Sequence, residues 1–201
     1  MSETTPTDRP LDEQVRFEIV DEVAWITIDR PEKGNALSPP CRNRIRDLIN
    51  GLNGAHIARA IVLTASGEKL FCPGADLSHR VPSERPEGVP ERVVGDARRM
   101  MLEGQYTLFP AILDSELPII AAVNGTAAGM GAHLAFACDL VIAAEGTKFI
   151  EVFSRRGLVV DALGAYLLPR TIGLHKAKEL VLFGDDLPVA EVHAVERPER
   201  D

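Results

Sequence analysis

A chain of 201 residues with 45% hydrophobic content can bury a sizeable core, as one domain or at most two. Its formal net charge of -8 and pI near 5.2 exclude a general polyanion-binding surface, which needs an excess of Lys and Arg, and leave room only for a local basic site on one anionic ligand. Three cysteines, Cys41, Cys72 and Cys138, lack paired spacing; they argue against a disulfide framework or structural metal and for a reducing, cytoplasmic setting.

The polar residues 1–14 carry no apolar run of the kind a secretory signal needs and read as a disordered tail. VRFEIV and VAWITI, separated by Asp21 and Glu22, alternate like the two strands of a hairpin. In CRNRIRDLINGLN, after Pro39 and Pro40, Ile45, Leu48, Ile49 and Leu52 fall at helical spacing, with Gly54 near the stop. AIVLTA is a buried strand. VPSERPEGVPERVVGD, rich in Pro, Glu and Arg, is a surface loop that can act as a lid before a helix over residues 97–113. LPIIAAV and DLVIAA are two further buried strands, and helical patterns follow near 162–172 and 176–183. Strands alternating with helices indicate an α/β fold with right-handed crossovers.

Residues 117–138 hold no charged side chain and are long enough to span a bilayer. Pro118, Asn124, His133 and three glycines oppose a membrane span and suit a strand, a turn, a buried helix and a second strand. The glycines, Gly125, Gly129 and Gly131, form neither a dinucleotide fingerprint nor a phosphate-binding loop. What remains is a glycine turn that opens a short helix and exposes N–H groups at the positive end of its dipole, able to hold developing negative charge on oxygen. FCPGADL (71–77) offers a second such turn, with Pro73 and Gly74 leading to Ala75. Two such turns can aim two N–H groups at one carbonyl.

Taken in order, IDRPEKGNALS (28–38), FCPGADL, AAVNGTAAGMGAHLAFACDLVIAA (121–144) and GLVVDALGAYLLPRTIGLHKAKELVLFG (157–184) resemble the crotonase, or enoyl-CoA hydratase/isomerase, superfamily over most of residues 15–187. The resemblance implies an α/β, crotonase-like ββα spiral core over 15–187, a C-terminal tail over 188–201, and a shortened C-terminal helical region. It also implies an oxyanion hole for a coenzyme A thioester, formed by the backbone N–H groups of Ala75 and Met130, with the glycines letting backbone approach the thioester. The match also implies Gly74, Asp76 and Leu77 as contacts for CoA, with Arg30, Lys33 and Lys69 as further candidates for its phosphates. The ligand implied is an acyl-CoA, with no metal and no cofactor beyond the CoA of the substrate, no nucleic acid and no membrane; the assembly implied is a homo-oligomer, trimer or hexamer.

The match breaks at the two glutamates that position water in hydratases of this family: His133 and Phe153 stand there. Glu151, two residues before Phe153, reads as surface charge that misses the site along an extended chain. His133, in the first turn of the helix, is either a base or a satisfied core residue. Asp161 matches a position where some relatives carry a catalytic carboxylate, and either caps the next helix or acts in the pocket. Asp139 reads as a structural join. These features imply an acyl-CoA-processing enzyme of the hydratase/isomerase type with Asp161 and His133 as acid/base. The alternatives are a catalytically silent acyl-CoA-binding or assembly protein, and a thioester hydrolase or dehalogenase-like enzyme in which Asp161 attacks.

Overall fold

The computed structural model describes residues 9–78, 88 and 94–191. Strands β1 (Val15–Val20) and β2 (Val23–Ile28) pair antiparallel across Asp21 and Glu22. Both turn residues adopt positive φ (50° and 61°), as a two-residue hairpin requires if its twist is to match that of the strands. Helix α2 (Pro39–Leu52) follows. It starts two residues earlier than its apolar spacing suggests, because Ser38 caps it, its hydroxyl accepting from the Cys41 N–H at 3.4 Å, and prolines fit the first turn. Cys41, Ile45, Ile49 and Leu52 form its buried stripe.

From β3 (Ala60–Ala65) onward the chain deals strands alternately to two sheets. β3, β5 (Ile119–Val123) and β7 (Leu140–Ala143) join the hairpin in a five-stranded sheet of order β1-β2-β3-β5-β7, parallel from β2 onward. β4 (Leu70–Cys72), β6 (Thr126–Ala128), β8 (Lys148–Ile150) and β9 (Asp186–Pro188) form the second sheet, β4-β6-β8-β9, with only β9 antiparallel. Between the paired steps lie α3 (Asp96–Glu103) with α4 (Gln105–Leu113), then α5 (Met130–Phe136), then α6 (Gly164–Ile172) with α7 (Leu174–Phe183). Strand, strand, helix, repeated, is the spiral that the motifs imply. The 117–138 stretch is β5, β6 and α5, and no described helix is long and apolar enough to cross a membrane.

Three expectations need correction. The helix over 97–113 is two helices broken at Gly104, where the Arg42 guanidinium packs into the space a side chain would fill. DLVIAA forms a strand but not a buried one: β7 is a sheet edge, and Leu140, Val141 and Ile142 are exposed. Residues 9–14 belong to the fold, not to a tail: α1 (Leu11–Gln14) precedes β1, and the Arg9 guanidinium donates to the Asp29 carbonyl at 2.9 Å. Most of the proposed lid loop, and residues 192–201, lie outside the described residues.

Candidate active site

The two glycine turns meet because β4 and β6 are neighbours in the second sheet. A side chain on Gly131 would collide with the Cys72 carbonyl, and one on Gly125 with the Lys69 backbone. These glycines therefore serve the close approach of the β5–β6 turn and the start of α5 to the β4 backbone. The approach has a chemical result. Gly74 packs against the start of α5, where a Cβ would stand 3.4 Å from the Met130 amide nitrogen.

Met130 is the first residue of α5, and the first helical N–H to close a turn is that of His133, onto the Gly129 carbonyl (3.1 Å). The Met130 N–H thus belongs to the orphan donors of a helix start. Ala75 bridges Leu37 in parallel fashion: Leu37 N–H donates to the Gly74 carbonyl (2.8 Å) and Asp76 N–H to the Leu37 carbonyl (2.9 Å). That pattern turns the N–H of Ala75 itself away from Leu37. Among the described residues, the Ala75 and Met130 N–H groups near Gly74 thus make no ladder bond.

Asp76 braces the first turn from inside. Its carboxylate accepts from the Arg30 guanidinium at 2.9 Å, with both side chains buried, and from the Ser78 N–H (2.9 Å) and hydroxyl (2.6 Å). Arg30 also donates to the Ala36 carbonyl. Desolvation alone would raise the Asp76 carboxyl, but the hydrogen bonds from Ser78 and Arg30 outweigh it and hold it below the usual carboxylate value. Arg30 is therefore committed to Asp76, which corrects its candidacy for CoA phosphates. Lys33 reaches the rim of the turn, its Nζ 3.4 Å from Ser78 Oγ; Leu77 is 85% exposed there; Lys69 is exposed in the β3–β4 turn.

Behind the second turn, His133 is fully buried and its Nε2–H donates to both oxygens of Glu151 at 3.0 and 3.1 Å. The imidazole stacks on Phe153 with ring centroids 5.6 Å apart and planes within 6°. Glu151 is 2% exposed, so its reading as surface charge is overturned. The chain does not stay extended: after β8 it turns through Val152, and Phe153 has φ -61° and ψ -50°, so that Glu151 and Phe153 both reach the same ring. One signal was present in the sequence, since period two along β8 puts Glu151 on the face of buried Phe149.

Asp161 does not cap α6, which begins three residues later without a side-chain cap. It opens a turn in which Ala162 and Leu163 both take positive φ (46° and 63°), an unusual pair for residues with side chains, and Gly164 N–H donates to the Asp161 carbonyl at 2.8 Å. Gly164 lies flat against the His133 imidazole, where any side chain would collide with the ring. Burial raises the Asp161 carboxyl, an influence that the His133 charge and a hydrogen bond from Gln105 oppose but do not cancel. Gln105, at the start of α4, is a site residue that sequence reasoning missed; its Oε1 and the His133 Nδ1 are buried without hydrogen-bond partners among the described residues. Asp139, as expected, ties a join: its carboxylate accepts from the Ile119 N–H at 2.7 Å.

The enoyl-CoA hydratase/isomerase family model matches residues 18–195. The chain belongs to that family. It is 40% identical over 177 residues to a Rhodobacter capsulatus protein named "Probable enoyl-CoA hydratase", covering 88% of this chain and 64% of that one. It is 36% identical over 172 residues to the 1,2-epoxyphenylacetyl-CoA isomerase of Escherichia coli, covering 85% and 63%. An enoyl-CoA hydratase structure from Bacillus anthracis superposes with a TM-score of 0.80 at 30% identity, covering 90% of this chain and 67% of that one. The chain thus spans just under two thirds of the length of these two curated relatives. Within the family's ββα spiral, the structure brings together Gly74, Ala75 and Met130 on one side and His133, Glu151 and Asp161 on the other, while Lys33 and Lys69 remain peripheral.

Proposed function

We propose that this protein processes an enoyl-CoA thioester by shifting its double bond, with Asp161 moving the proton. The thioester oxygen accepts from the N–H groups of Ala75 and Met130. The Asp161 carboxylate removes a proton from carbon, the electron pair moves toward the carbonyl, and the two N–H groups hold the resulting enolate oxygen. The same proton then returns to another carbon, so nothing is gained or lost and no metal or further cofactor takes part. One oxyanion donor of this type is worth about 3 kcal/mol of transition-state stabilisation.

The observation that supports this reading is the packing of Gly74, the residue before Ala75, against the Met130 helix start, where a Cβ on Gly74 would stand 3.4 Å from the Met130 amide nitrogen. Asp161 suits proton transfer because burial raises its carboxyl toward the range in which it can both take and return a proton. Hydration needs paired carboxylates on one water; of the two matching positions, Phe153 carries none and His133 is engaged by Glu151. The test is a turnover screen against short, long and aromatic enoyl-CoA thioesters with parallel binding calorimetry. Asp161→Asn should keep binding and lose about 100-fold or more in turnover. Binding without turnover in the wild type would replace this reading by that of a silent acyl-CoA-binding protein.

The same reading includes self-association in a reducing, cytoplasmic setting. In its support, apolar side chains of β7 stand exposed, and an open cavity of about 690 Å³ between α6 and α7 is lined by Leu158, Val160, Leu168, Val181 and Leu182. All three cysteines are free and buried, as a reducing compartment permits. Sedimentation should show a trimer or hexamer, and a monomer at all concentrations would remove this part of the proposal.

A further inference from the structure

The two oxyanion donors are held in different ways. Met130 is buried and its N–H is fixed by the start of α5, whereas Ala75 is exposed, on a turn, with only a methyl group to pack. We propose that Arg30 and Asp76 are positioning residues for the Ala75 donor: the buried pair ties the turn that carries Ala75 to the 30–37 segment, and so fixes the direction of that N–H before a thioester arrives. The inference rests on the reading of Ala75 as an oxyanion donor.

Main-chain bonds clamp Ala75 on both sides. Leu37 N–H donates to the Gly74 carbonyl at 2.8 Å, Asp76 N–H donates to the Leu37 carbonyl at 2.9 Å, and Gly74 N–H donates to Cys72 Sγ at 3.4 Å. The clamp is only as firm as Leu37, and Arg30 grips both of its jaws. One terminal nitrogen of the guanidinium donates to the carbonyl of Ala36, the residue before Leu37, and the other donates to the Asp76 carboxylate at 2.9 Å. Nε is buried without a hydrogen bond among the described residues, so the two terminal nitrogens make the grip. Its base is fixed as well. Arg30 N–H donates to Asn35 Oδ1 at 3.0 Å, and the Asn35 amide donates to the carbonyls of Ser66 and Leu70 at 2.9 and 2.8 Å, at the two ends of the β3–β4 turn. One frame built on Arg30 thus reaches both the strand that leads into the Gly74 turn and the residue that leaves it.

An oxyanion donor is effective when it already points to where the charge will develop, and a donor on a loop needs locked neighbours to keep that direction. A guanidinium suits the task, because its planar fork meets two acceptors at once; a lysine ammonium is a point charge on a flexible stem. Stability alone does not explain the pair, since a sealed ion pair is often matched by apolar side chains of similar volume.

That distinction sets the test. Arg30→Lys keeps the charge and removes the fork, and the double variant Arg30→Met with Asp76→Leu replaces the pair by apolar side chains, which would rescue a purely stabilising role. Nitrogen relaxation of the Ala75 amide needs no ligand. Its order parameter should fall from about 0.85 in the wild type to below about 0.6 in both variants, with that of Met130 unchanged. The second readout is the ultraviolet spectrum of bound acetoacetyl-CoA, a thioester whose acidic carbon gives up a proton to the buffer and leaves an enolate. The wild type should raise the enolate-to-ketone ratio above that in buffer, and both variants should lose about 10-fold or more of it. An unmoved Ala75 order parameter in Arg30→Lys, or a wild-type enolate ratio in either folded variant, overturns the inference; if the double variant does not fold, Arg30→Lys decides alone. A wild type that leaves the enolate ratio at its buffer value removes the oxyanion reading of Ala75, while the amide relaxation still decides whether the pair positions that turn.

Discussion

Two buried carboxylate contacts brace the two glycine turns, one made by a guanidinium and the other by an imidazole. Arg30–Asp76 stands under the Gly74 turn at 2.9 Å, and His133–Glu151 behind the Met130 turn at 3.0 Å. All four side chains are nearly sealed from solvent. The Asp76 carboxylate accepts from both Arg30 and Ser78, whereas Glu151 meets His133 Nε2; each cation-side partner keeps one buried nitrogen, Arg30 Nε and His133 Nδ1, without a hydrogen bond among the described residues. A guanidinium cannot shed its proton at any working pH, but an imidazole can. The first pair thus sets a permanent cation under a backbone donor, and the second sets an imidazole, with Nδ1 unpartnered among the described residues, against the Gly164 backbone of the Asp161 turn.

The largest effect follows from breaking the fixed pair. Asp76→Asn keeps the size of the side chain and strands a buried guanidinium, so it should cost about 3 kcal/mol or more in urea unfolding. Glu151→Gln is the matching change at the other pair, and here the amide oxygen still accepts from Nε2 and no guanidinium is stranded. It should cost only about 1 kcal/mol. Equal losses in the two variants would end the distinction between the two pairs.

How much of this was legible in the sequence depended on range. The β1–β2 hairpin, β3, β5 and the apolar stripe of α2 show in local periodicity. The glycine turns showed as motifs, and the family resemblance put Ala75, Met130 and Asp161 on the same map. The second sheet did not show, because β4, β6 and β8 are three residues each, too short for alternation to register. Neither ion pair showed. Arg30 finds Asp76 across 46 positions and His133 finds Glu151 across 18, and an arginine or glutamate in isolation reads as solvated charge. The break at Gly104 likewise depends on a distant side chain, Arg42, filling its space.

The smallest effect, and the one that most sharpens the comparison, is the pH dependence of stability carried by Asp76 and Asp161. Asp76 is held below its ordinary value by Ser78 and Arg30, so it stabilises the fold fully above the unfolded value of about 3.9 and loses that contribution as pH falls through its folded pKa. In Asp76→Asn the acid loss should be shallower than in the wild type. Asp161 runs the other way. Its folded pKa is raised by burial, so its favourable contribution is present below about pH 3.9 and is lost as pH rises through the folded value. Asp161→Asn should therefore gain in melting temperature relative to the wild type as pH climbs from about 4 toward neutrality. The gain should be small, because the carboxyl is only half-buried and solvent screens it. Calorimetric melting of the three proteins across that range decides the matter: parallel curves for Asp161→Asn and wild type would mean that Asp161 ionises in the fold as it does in the unfolded chain, and the site would lose its raised carboxyl.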